Sequence, residues 1–147
     1  MGGIVGRTFS VAESGLTEQA KYLAKGGDPS KGPSSLLYND CSMTCARIAS
    51  PSNVPMGGEW GIQSTNNLIQ QLGLASVNSG DERTGDIIRW GADAKTHFAN
   101  VLFTGDDGIT EVFSRSGVNG RFEVVPEQNP SFQTGYGSIT GEYRPTD

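Results

Sequence analysis

Apolar residues near the start of the chain fall at helical spacing: Ala12, Leu16, Ala20 and Leu23 recur three or four positions apart with polar residues between them. Ser10 and Glu13 form a capping box ahead of this stripe and Gly26-Gly27 closes it, which predicts one amphipathic helix. Residues 27–35 hold two prolines and three serines and read as a loop. Cys41 to Ala49 then contains neither Gly nor Pro and stops at Ser50-Pro51, predicting a short helix with Asp40 or Asn39 at the N-cap and Cys41 in the first turn. Pro51 to Gly61 is loop-like, and Ser64 to Gly73 reads as a capped helix ending on glycine.

The pattern changes after a polar stretch from Val77 to Thr84. Gly85-Asp86 is a turn leading into the apolar run Ile87-Ile88-Arg89-Trp90, and His97 to Phe103 is a second strand. Gly105-Asp106-Asp107-Gly108 is a hairpin turn from which Ile109 to Ser114 runs back, and Arg121 to Val125 is a further strand closed by Pro126. The tail from Gln128 places Tyr136, Ile139 and Tyr143 among small residues and reads as one last strand. Helices first and a small antiparallel sheet second make an α+β layout. The 147 residues form a single domain in this reading, without an internal repeat.

Composition narrows the picture. Only 35% of residues are hydrophobic and 21 are glycine, which fits many turns and a modest core. No apolar run approaches the roughly 18 residues of a membrane span. Met1-Gly2-Gly3 lacks the basic and apolar regions of a signal peptide, and Gly2 to Gly6 reads as an excised junction. A net charge of −5 and the lack of a basic stripe argue against a nucleic-acid partner. Cysteines four apart on one helix are poorly spaced for a disulfide, and with one distant histidine they supply too few ligands for zinc. Neither a metal nor a cofactor is expected.

What remains is a cysteine at a helix start and a single histidine at a strand start. A cysteine attacks a carbonyl well only as thiolate, and a helix N-terminus beside an imidazole is the usual way to hold one. Cys41 is therefore the candidate nucleophile and His97 the candidate base. Cys45, one turn further in, is read as core. The residue that orients His97 comes from the return strand, as Glu111 or Ser114. A four-residue turn sets Ser114 on the face of His97, and a turn one residue shorter or longer sets Glu111 there. A carboxylate is chemically the stronger orienter. Trp60 and Trp90 are candidates for a groove, and Arg115 for a substrate carboxylate, with packing and a solvated arginine as the plainer readings.

Asp40-Cys41-Ser42, Gly85-Asp86-Ile87-Ile88-Arg89-Trp90 and the strand opened by His97 resemble the papain-like cysteine hydrolases, particularly NlpC-type cell-wall peptidases and CHAP amidases. His97-Phe98-Ala99-Asn100-Val101 is also similar to a strand of papain-fold bacterial toxin domains. Met43 departs from the glycine usual after Asp-Cys-Ser in the peptidases. The resemblance implies a papain-like α+β fold, with the cysteine helix packed on a small antiparallel sheet. It also implies an amidase, peptidase or deamidase acting on a protein or on cell-wall peptide. Such a domain would be exported as cargo or within a larger secreted protein, and would be countered by a cognate immunity protein. The alternative is a catalytically inactive binding module on the same fold.

Overall fold

A computed structural model describes residues 3–35, 38, 40–49, 73–92, 96–116 and 118–145. The elements are α1 (Ile4–Ala24), α2 (Cys41–Ala49), β1 (Leu74–Ser76), β2 (Ile87–Trp90), β3 (His97–Thr104), β4 (Thr110–Arg115), β5 (Phe122–Pro126), α3 (Pro130–Tyr136) and β6 (Ile139–Pro145). The six strands make one antiparallel sheet in the order β1-β6-β2-β3-β4-β5. The α+β class is observed. The helix expected over Ser64–Gly73, the loop before it and Trp60 lie outside the described residues, apart from Gly73 itself.

Successive side chains of a strand point to opposite faces, and the core divides accordingly. On one face Cys41, Met43, Cys45, Ala46 and Ala49 of α2 pack on Ile87 and Phe98, while Ala12 of α1 packs with Tyr38, Leu102, Phe113 and Phe122. On the other, Phe132 of α3 covers Ile88, Trp90, Ala99, Val101 and Val112. The sheet is thus the middle of three layers.

Both the first and the last helix differ from the sequence reading, and the short β1 adds to it a strand it did not contain. The first helix starts at Ile4, so Ser10 and Glu13 lie within it instead of capping it. Its buried residues are Thr8, Ala12, Gly15 and Gln19, while Leu16 and Leu23 of the apolar stripe are exposed. Close approach explains the choice, because a Cβ at Gly15 would stand 2.7 Å from both Phe113 and Phe122. Gln19 then reaches past the helix, accepting from Phe122 N–H at 3.0 Å and donating to the Lys31 carbonyl at 2.9 Å. Gly15→Ala is therefore expected to destabilise by about 1–2 kcal/mol in urea unfolding, the crowding outweighing the roughly 1 kcal/mol that alanine gains in a helix. A more stable variant would show that the helix is free to retreat.

The second difference is α3, read in the sequence as part of a strand. Its start carries a signature: Asn129 accepts from Ser131 N–H at 3.0 Å and Pro130 occupies the first turn. No helix among the described residues is long and apolar enough to cross a membrane.

Candidate active site

Asp40 caps α2. Its Oδ1 accepts from Met43 N–H at 2.8 Å and from Ser42 Oγ at 2.9 Å, while its carbonyl accepts from Thr44 N–H at 3.1 Å. This leaves Cys41 as the first helical residue, 2% exposed. Its thiol accepts from Phe98 N–H at the start of β3. Val101 N–H points toward β2, where it donates to the Asp86 carbonyl at 2.8 Å, so by alternation Phe98 N–H points toward β4. The β3–β4 ladder begins only at Asn100↔Phe113, and the thiol of Cys41 occupies the opening.

The expectation of a helix-stabilised thiolate does not describe this resting state. Burial pushes the Cys41 thiol up to about 12; N–H groups of Phe98, Ser42 and Cys41 itself pull it down, and the Asp40 charge pushes it further up. The carboxylate that caps the helix offsets the positive helix end beside the sulfur. Cys45 is also a free, buried thiol, packed in the same apolar cluster and raised chiefly by burial.

His97 points to the other face of the sheet. Its ring stacks on Tyr136 at 4.7 Å between centroids, with Phe132 at 4.8 Å and Trp90 at 5.8 Å. Nε2 lies 2.8 Å from Ser114 Oγ, and the residue is 1% exposed. Burial pulls the imidazole down to about 4, so it is neutral near pH 7.

The choice between Ser114 and Glu111 turns on one residue. The hairpin loop spans the five residues between Thr104 and Thr110, one more than the four that favour Ser114, and Phe103 faces Glu111. A bulge at Leu102 then shifts the register, so that Val101 faces Val112 and Asn100 faces Phe113. Continued by one step, this register sets Ser114 against Ala99 and on the face of His97. Glu111 stays beside Phe103, six residues from His97 along β3, roughly 20 Å away. Glu111 is not placed to orient His97.

Tyr136 was not among the site residues expected from the sequence, yet it packs directly on the candidate base. It stacks on His97, and its phenol is raised first by burial and then by the Cys41 charge. A cavity of about 350 Å³ opens beside these rings, lined by His97, Ser116, Glu123, Phe132 and Tyr136 among others. Cys41 does not line it. The Asn129-Pro130 helix start was the sequence signal that could have revealed Tyr136.

Trp90 is wholly buried and serves packing, with its Nε1 donating to the Glu127 carbonyl at 3.2 Å. Arg115 is not a solvated arginine. It is 3% exposed, donates to the carbonyls of Tyr38 at 2.7 Å, Pro33 at 2.9 Å and Gly120, and lies over the Phe122 ring. It ties β4 to the segment that leads into Cys41. Neither a protein-family model nor a curated protein sequence matches this chain.

Proposed function

We propose that this chain is a thiol-dependent amide hydrolase of papain-like design, with Cys41 as nucleophile, His97 as base and Ser114 as the residue that holds the imidazole. One observation carries the reading: adjacent residues of β3 engage the two groups, Phe98 through its N–H on the Cys41 sulfur and His97 through Nε2 on Ser114 Oγ at 2.8 Å. With Nε2–H donated to Ser114, the Nδ1 lone pair is the basic site.

Nδ1 takes the proton of Cys41, and the thiolate sulfur bonds to the amide carbon as the carbonyl π pair moves onto oxygen. Backbone N–H groups at the start of α2 donate to that oxyanion. As the tetrahedral intermediate collapses, the C–N bond breaks and the amine or ammonia leaves with the proton from His97. Water, deprotonated by His97, then attacks the thioester, releasing the acid and restoring the thiol.

Both groups are neutral and enclosed at rest. At rest the two side chains lie on opposite faces of the sheet, and in this reading the Phe132 and Tyr136 rings of α3 move off His97 to admit substrate and let the imidazole turn past the start of β3 toward the Cys41 sulfur. The bacterial toxin role, and with it a cognate immunity protein, rests on the resemblance of the His97–Val101 strand to toxin domains. The substrate would be a protein amide or cell-wall peptide.

A second reading, a catalytically silent binding module, rests on the enclosed thiol raised to about 12 with Asp40 beside it. The cavity beside His97 would then be the binding site. Expression of wild type, Cys41→Ala and Cys45→Ala, each in bacterial cytoplasm and periplasm, separates the readings. The hydrolase predicts killing by wild type and Cys45→Ala and none by Cys41→Ala. Periplasm-only lysis identifies a wall substrate, and cytoplasmic killing without lysis a protein. Equal toxicity of wild type and Cys41→Ala removes the cysteine mechanism, and harmlessness of all three favours the binding module.

A further inference from the structure

Three glutamates from separate parts of the chain converge on the α3 face of the sheet. Glu82 comes from the loop between β1 and β2, Glu127 from the crossing between β5 and α3, and Glu142 from β6 opposite Ile88. One carboxylate oxygen of each lies within 4.8 Å of the others.

Crowded acids on a surface need no counterion, but these are not simply on the surface. Glu142 is only 8% exposed, and its Oε1 is sealed from solvent without a hydrogen-bond partner; Glu127 Oε2 is sealed and unpartnered in the same way. Backbone donors reach only Glu82 of the trio, from Gly80 N–H on Oε2 at 2.9 Å and from its own N–H, among the described residues. Among the described residues no basic side chain forms an ion pair with any of the three, and the nearby Arg144 is committed to Asp86 and the Asp81 carbonyl. Burial, then the hydrogen bond and charge of Glu82, lift Glu142 to about 8, and burial and Glu82 also raise Glu127. A proton therefore relieves the crowding when nothing else does. Sealed, unpartnered oxygens on carboxylates that converge this closely are what a cation site presents before it is filled.

We propose that Glu82, Glu127 and Glu142 bind a divalent cation, with calcium the fitting ion. All the side-chain donors are oxygens, which suits a hard cation over zinc. Three carboxylates whose oxygens lie within 4.8 Å of one another suit calcium's oxygen-rich shell better than magnesium, which keeps several waters and takes one or two carboxylates. The ion joins the β1–β2 loop, β6 and the β5–α3 crossing. The Glu127 carbonyl already accepts from Trp90 Nε1, and α3 begins three residues later with the rings that cover His97. Filling the site would thus anchor the root of that cover. The proposal does not depend on the hydrolase reading.

Terbium, a luminescent calcium substitute, is the probe, because Trp90 sits against the site and can sensitise it. The full chain is expected to give indole-sensitised terbium emission that calcium displaces and that Trp90→Phe loses. Calcium at tenfold excess over its Kd should raise the melting temperature by about 3–6 °C. Glu142→Gln keeps the shape and replaces the carboxylate that would face the ion, so it should fold while losing both responses. An unchanged wild-type melting temperature in calcium and in magnesium, without terbium emission, would overturn the proposal. So would an equal calcium response in folded Glu142→Gln, and a response to magnesium alone would overturn the assignment of the ion.

Discussion

Asp86→Ala is expected to lower the free energy of unfolding by about 3 kcal/mol or somewhat more, a large share of a domain's total stability. Asp86 is the acid of the Gly-Asp step ahead of β2, and its side chain is 2% exposed. Arg144 of β6 donates to it twice, from Nε at 2.9 Å and from NH2 at 2.8 Å, and Arg83 N–H adds a third bond at 2.8 Å. Gly85 beside it has φ +96 and gives its N–H to the Val101 carbonyl at 2.8 Å, so this step locks β2, β3 and β6 together. Alanine would leave the guanidinium without its carboxylate. Arg144 is one-third exposed and water recovers part of the loss, which argues for the lower end of the range for broken buried pairs. Asp86→Asn keeps one acceptor oxygen and sets an amide donor where the other stood, so it should recover only part of the loss. Urea unfolding followed by circular dichroism reads both, and a cost below about 1 kcal/mol for alanine would show the pair to be screened.

The second large effect concerns pH. His97 is the only histidine, and burial lowers its pKa from 6.5 to about 4. The unfolded chain thus binds a proton between these values that the folded chain does not. The stability this contributes is fully present above pH 6.5 and is lost as pH falls toward 4, by about 3 kcal/mol at roughly 1.4 kcal/mol per pH unit. Glu142 acts in the opposite sense, because its raised pKa favours the folded state as pH falls from 8. The quantity to measure is therefore the stability difference between wild type and His97→Gln across pH 4 to 8, in which Glu142 cancels. It should shrink by about 3 kcal/mol on acidification. A difference independent of pH would mean that water reaches the ring in the folded protein.

Local chemistry made much of this protein legible in its sequence. Asp40 caps α2 because a short carboxylate ahead of a helix-forming run can reach its first N–H groups, and this needs no distant partner. Period-two patterning around a glycine-bounded turn placed β3 and β4 within a residue of where they lie. Only the packed structure decided which groups meet across those elements. The bulge at Leu102 selected Ser114 over Glu111, because one inserted residue exchanges the faces of a strand and a chain pattern cannot count it. Small residues, not the apolar stripe, set the buried face of α1, because close approach to Phe113 and Phe122 depends on what stands opposite. Cys41 and His97 were recognisable as types, but their neutrality at rest comes from burial and from Asp40 and α3 around them. Tyr136 and Glu127 became neighbours of their partners only through the β5–α3 crossing, and Glu82 and Glu142 only through the pairing of β6 between β1 and β2. Residues far apart in a chain share no pattern along it, and their interaction energy exists only once folding has set their distance and removed the water between them.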